Sequence, residues 1–160
     1  MVYLTIIYND GTSKETEVDK DITNLDLCNK DIRSISGLNK LIKLKELNCS
    51  NNNILELDLR NNINLKYLYC SFNNILELDL RNNINLKYLV CNNNNILKLN
   101  LTSLKNLESL YCDNNNISEL NLKSNINLSR LHCNNNNICE AGLNLRDNLN
   151  LEFLDCSNNN

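Results

Sequence analysis

The stretch LKELNCSNNNILELDLRNNIN, Leu44–Asn64, is a 21-residue unit that the chain restates to its end. Further copies begin at Leu65, Leu86, Leu107 and Leu128, and a partial copy begins at Leu151 after a two-residue insertion. Within the unit the pattern is L-x-x-L-x-C-x-x-N-x-I-x-x-L-x-L, followed by about five polar or mixed residues. Two copies share an identical run, Asn52–Leu68 and Asn73–Leu89, which reads as a recent duplication. A fixed period of this length means one small structural unit stacked on itself, each copy touching only its neighbours.

Within the unit, Leu47 and Cys49 alternate with Glu46 and Asn48, the pattern of a strand with one face inward. Equivalent strands then stack in parallel, one per repeat. Ile54, Leu57 and Leu59 bring the chain back on the other side. The short period leaves little room for a return helix, so extended or 3₁₀ segments and modest curvature are expected there. One unit cannot stand alone. Its few apolar side chains contribute roughly 1.5–3 kcal/mol each when buried, while ordering its backbone costs about 1–2 kcal/mol per residue. Only neighbouring copies, covering both faces, reverse that balance.

The pattern resembles the leucine-rich repeat family over residues 22–160. The resemblance implies a right-handed α/β-type solenoid with a parallel β-sheet on its concave face, and a protein-binding role. The Asn-rich, Cys-bearing variant also resembles repeat proteins of AT-rich organisms and giant DNA viruses, which would place a viral chain in the host cytoplasm.

The ends depart from the repeat. Val2–Tyr8 is β-branched and aromatic, Asn9-Asp10-Gly11 is a turn signal, and Thr12–Val18 alternates, which together predict a β-hairpin. Residues 1–21 are read as an N-terminal cap on the solenoid of residues 22–160, since an end unit must cover the apolar end face. The alternative is a docking strand. Ile22–Lys43 is a degenerate first repeat, with Ile22, Leu25, Leu27, Ile32 and Ile35 inward and Gly37-Leu38 at a corner. Lys30 replaces the repeat's asparagine, so this turn is expected to lack a buried amide. The last copy ends after LEFLDCSNNN with an open strand edge, which invites pairing with another chain.

Net charge is −3, which argues against nucleic acid or an anionic membrane as partner. No apolar run approaches a membrane span, and the N-terminus lacks a secretory pattern. An intracellular chain is expected. Asparagine makes up about a quarter of the residues and proline and tryptophan are absent. An AT-rich genome filling neutral surface positions accounts for this; selected or prion-like tracts are the alternative.

Six of the eight cysteines form one column: Cys49, Cys70, Cys91, Cys112, Cys133 and Cys156. In-register parallel strands hold them side by side about 4.8 Å apart, which suits neither a disulfide nor four converging zinc ligands. They read as small buried hydrophobes, and no metal or other cofactor is expected. Cys139, in the inserted corner, is the candidate for exposure. The asparagines of the repeat (Asn52, Asn73, Asn94, Asn115, Asn136 and Asn159) are expected to satisfy loop backbone groups.

Function is expected on the outward strand residues. The third repeat position carries Glu46, Tyr67, Tyr88, Ser109, Arg130 and Phe153; the fifth carries Asn48, Tyr69, Val90, Tyr111, His132 and Asp155. Five of the chain's eight tyrosines and phenylalanines fall in these two rows. An aromatic patch on an exposed face reads as a contact surface; the competing reading is cross-strand filler for the sheet. Tyr67, Tyr69, Tyr88, Val90 and Tyr111, with Arg130, His132, Phe153 and Asp155 beside them, are the candidate partner-binding residues. His132 near an acid invites an acid–base reading, but no nucleophile or water-excluding enclosure accompanies it, so no catalytic residue is assigned. The expected role is a non-enzymatic module for an unidentified protein partner. A homodimer through the C-terminal edge is the alternative.

Overall fold

The computed structural model describes all 160 residues. Ten short strands form two sheets. β1 (Val2–Tyr8) pairs antiparallel with β2 (Ser13–Val18) as a hairpin, and β1 also pairs antiparallel with β4 (Ile32–Ser36). The second sheet is parallel and seven-stranded. Its members are β3 (Asn24–Asp26), β5 (Glu46–Asn48), β6 (Tyr67–Tyr69), β7 (Tyr88–Val90), β8 (Ser109–Tyr111), β9 (Arg130–His132) and β10 (Phe153–Asp155). They lie in the order β10-β9-β8-β7-β6-β5-β3. Each strand sits beside the next at identical repeat positions.

There is no α-helix. The only helical turns are two three-residue 3₁₀ segments, Leu38–Lys40 and Glu140–Gly142, so the α/β label is corrected to a β-solenoid with extended returns. The reason is length: after the strand and its loop, the residues left must recross the unit, and extended backbone covers about twice the distance per residue of a helix.

The interior is one continuous core. Leu47, Leu68, Leu89, Leu110 and Leu131 are fully buried, and so are Cys49, Cys70, Cys91, Cys112 and Cys133. Burial pushes the thiols of Cys49, Cys91 and Cys133 up to about 12, and those of Cys70 and Cys112 well above the ordinary range. At neutral pH these are protonated, apolar packing groups. Leu4 and Ile6 of β1 join the same core. Gly37 is required beside them. Its φ is +94°, and a Cβ there would lie 2.8 Å from the Tyr3 carbonyl oxygen.

Asparagines tie the repeats together in register. Asn73 Nδ2 donates to the carbonyls of Cys49, Cys70 and Ser71 at 3.0, 3.2 and 3.2 Å, and its Oδ1 accepts from the Ile54 N–H at 2.9 Å. Asn94, Asn115 and Asn136 repeat this arrangement. Each amide thus serves the turn of the repeat before it. The expectation that the Lys30 turn lacks an amide is corrected on that ground: Asn52 reaches back, accepts from the N–H of Lys30 and Ile32, and donates to the Leu27 carbonyl.

Two further rows do similar work. Buried Asn62, Asn83, Asn125 and Asn148 each donate to two carbonyls of the preceding repeat. Exposed Asn64, Asn85, Asn106, Asn127 and Asn150 each donate to one. A fourth row, Asn29, Asn51, Asn93, Asn114, Asn135 and Asn158, takes the left-handed conformation at the end of each strand loop, which asparagine tolerates better than other non-glycine residues. More than half of the asparagines therefore have a backbone role, and a bias toward neutral surface positions does not explain those rows.

Candidate functional site

The outward rows lie as the repeat spacing places them. In register across the parallel sheet run Glu46, Tyr67, Tyr88, Ser109, Arg130 and Phe153, and beside them Asn48, Tyr69, Val90, Tyr111, His132 and Asp155. All nine candidate residues stand on this face. Tyr67, Tyr69, Tyr88, Val90, Tyr111, His132 and Asp155 are half-buried, and Arg130 and Phe153 are exposed.

Their rings assemble into two groups. Tyr67 and Tyr88 are tilted neighbours, with centroids 5.6 Å apart at 35°. Tyr111 and His132 stack at 4.5 Å and 16°, and His132 stacks on Phe153 at 4.5 Å and 22°. Phe153 belongs to the other row yet turns toward His132. The separations fall in the range of favourable offset stacking. Burial raises the Tyr69 hydroxyl above its ordinary pKa, with the Glu46 carboxylate adding to it. The Ser157 hydroxyl holds the Asp155 carboxyl below the usual range.

Ser109 differs from its row. It is 0% exposed and its hydroxyl has no hydrogen-bond partner, so it lies beneath its neighbours rather than on the contact surface. Charged side chains edge the face at the position before the strands. There Lys87 Nζ donates to Glu108 Oε1 at 2.6 Å. That hydrogen bond is also what raises the Lys87 pKa most.

Phe72 stands outside the nine candidates. It occupies the left-handed position that asparagine fills in neighbouring repeats, with φ of +53°, and it is 53% exposed. A bulky side chain gains nothing from that conformation, and no burial offsets the strain. The sequence does carry the signal, since Ser71-Phe72 stands where other repeats have Ser50-Asn51 and Asn92-Asn93. The returns also expose two apolar columns, Leu55, Leu76 and Leu97, and Ile42, Ile63 and Ile84. These too recur at the repeat period.

Solved structures share this architecture. An internalin, InlF, from Listeria monocytogenes superposes with a TM-score of 0.75 at 29% identity, over 79% of this chain and 39% of that one. A leucine-rich repeat protein from Leptospira interrogans gives 0.68 at 27% identity, over 76% of this chain and 33% of that one. The fold is that of a leucine-rich repeat protein. The functional domain of InlJ from Listeria monocytogenes, which includes a cysteine ladder, matches at 34% identity over 86% of this chain and 40% of that one, with a TM-score of 0.51. The chain spans well under half the length of these three structures. No protein-family model matches the chain, and no curated relative matches it.

Proposed function

We propose that the chain is a non-enzymatic protein-interaction module whose partner binds on the concave, aromatic face of the parallel sheet. The observation that carries this reading is the gathering of Tyr67, Tyr69, Tyr88, Tyr111, His132 and Phe153 on one outward surface. Aromatic side chains offer large contact area with few rotors to freeze, which is why they dominate binding energy at interfaces. The leucine-rich repeat fold of its structural neighbours supports the same role. Specificity lies in the surface residues and not in the fold.

The test is affinity capture from lysate with wild type and a Tyr67/Tyr69/Tyr88/Tyr111→Ser variant, both first shown to unfold cooperatively. The reading expects a protein held by wild type and lost by the variant. An identical set held by both would reassign the tyrosines to sheet packing.

A second reading is self-association through β10. Leu154 is 42% exposed, whereas its equivalents in the preceding five repeats are fully buried, and Cys156 is likewise uncovered. A strand edge above exposed core positions is a template for another strand, of a second copy or of residues that follow in a longer chain. Light scattering that shows a monomer at every concentration, for wild type and for Leu154→Lys alike, sinks it.

A further inference from the structure

The charged row at the edge of the aromatic face divides sharply along the stack. Lys45, Lys66 and Lys87 precede β5, β6 and β7; Glu108, Ser129 and Glu152 precede β8, β9 and β10. The row is kept in register by backbone hydrogen bonds of 2.8–2.9 Å between successive members. The basic half and the acidic half therefore meet between β7 and β8, where Lys87 and Glu108 already pair.

That pattern is complementary to itself under a two-fold rotation. An axis parallel to the strands, passing between β7 and β8, brings Lys45 opposite Glu152 of a second copy, Lys66 opposite Ser129, and Lys87 opposite Glu108. The same operation treats the other rows consistently. Tyr67 meets Arg130, a cation over an aromatic face. Tyr69 meets His132, and Val90 meets Tyr111. Asn48 meets Asp155. Two pairs do not match: Tyr88 faces Ser109, which lies beneath its neighbours, and Glu46 faces Phe153 at the rim, where Asn24 Nδ2 already donates to Glu46 Oε2 at 2.7 Å. In an isologous interface each favourable pair occurs twice.

We infer that the partner of the aromatic face is a second copy of this chain, packed face to face in antiparallel repeat order. The inference rests on the reading of that face as a contact surface. A foreign acidic protein would suit the lysine half and be repelled by Glu108, Asp113, Glu152 and Asp155; a basic one would meet the reverse. Only a partner with the opposite order of charges satisfies both halves, and this chain is one. The face offers six strand spacings of about 4.8 Å by some five residues of about 3.3 Å. Two such faces bury roughly 1,000 Å², the low end of specific interfaces, so the dimer is concentration-dependent and weakened by salt.

The experiment is sedimentation velocity on the full chain, from low micromolar to near-millimolar concentration, at low and high salt. Three variants accompany wild type: Lys45→Glu/Lys87→Glu, Glu108→Lys/Glu152→Lys, and all four changes together. All sit at surface positions, and cooperative urea unfolding checks that each still folds. The inference expects wild type to dimerise with rising concentration, each double variant alone to be monomeric, the two mixed to form a heterodimer, and the quadruple variant to dimerise by itself. A wild type that stays monomeric overturns it; if capture by the tyrosine face persists, that face binds a different protein. A dimer indifferent to both charge reversals but lost in Leu154→Lys also overturns it, in favour of the strand edge.

Discussion

The two faces of one sheet follow different rules. Inward, every repeat from β5 onward presents the same pair: leucine at the fourth position and cysteine at the sixth, fully buried from β5 to β9. Outward, the same strands carry Glu46, Tyr67, Tyr88, Ser109 and Arg130 in one row with no residue type dominant. The inward face is copied because each leucine must fill the same space between two neighbours. The outward face is free of that demand, and its residues vary from strand to strand. The last repeat shows the inward rule depends on having a neighbour: Leu154 and Cys156 keep the residue types but lose the burial.

The largest effect should come from breaking the inward face. Leu89→Ala is expected to cost about 2–5 kcal/mol in urea unfolding, whereas Leu154→Ala, at the equivalent position of the open end, should cost no more than about 1 kcal/mol. Equal costs would mean that the end is covered in solution.

The asparagine rows sharpen the same contrast. Asn73→Ala leaves the buried N–H of Ile54 without a partner, while the carbonyls of Cys49 and Cys70 each lose one donor and keep another, from Asn52 and Asn94; the orphaned N–H should cost about 1–3 kcal/mol. Asn85→Ala, in the exposed row, should stay within about 0.5 kcal/mol.

The cysteine column predicts a pH response. Burial in the folded chain pushes the thiols of Cys49, Cys91 and Cys133 up to about 12, from an ordinary value of 9.0. Between those values the folded state binds more protons than the unfolded one. Stability from this source is therefore complete below pH 9 and is lost as pH rises toward 12. Urea melts from pH 8 upward should show midpoints falling past pH 9, by less in Cys91→Ala once its own drop at pH 8 is subtracted. At pH 8 thiol reagents should label Cys139 and Cys156, which are exposed, and spare Cys49, Cys70, Cys91, Cys112 and Cys133.

Phe72→Asn gives a change of the opposite sign. Relieving the left-handed phenylalanine should raise stability by about 1 kcal/mol. If binding falls at the same time, the strain serves the contact surface.

Much of this architecture is legible in the residues alone. The period sets the strand positions, and alternation at Leu47 and Cys49 sets which face turns inward. The Asp10-Gly11 turn marks the hairpin. Other features escape a reading of the sequence for physical reasons. The returns carry apolar residues at spacings that suit either a helix or an extended chain, and only the distance to be covered excludes the helix. Asn62 and Asn64 recur as faithfully as Asn52, but a polar tail after an apolar run looks like solvent-facing loop until the carbonyls of the preceding repeat are placed beside it. Ser109 reads as an outward residue by register and is covered only because its neighbours are larger. The ring geometry of Tyr111, His132 and Phe153 depends on side-chain rotation, which spacing does not determine.

The most direct test of the contact face is hydroxyl-radical footprinting of the free chain and of the complex it forms, with itself or with a captured partner. Tyr67, Tyr69, Tyr88 and Tyr111 are expected to lose reactivity on binding while the exposed Leu76 and Leu97 on the returns keep theirs. Tyrosines that remain reactive in the complex, with protection appearing instead at Leu149 and Leu154, would contradict this expectation and place the contact at the end of the stack.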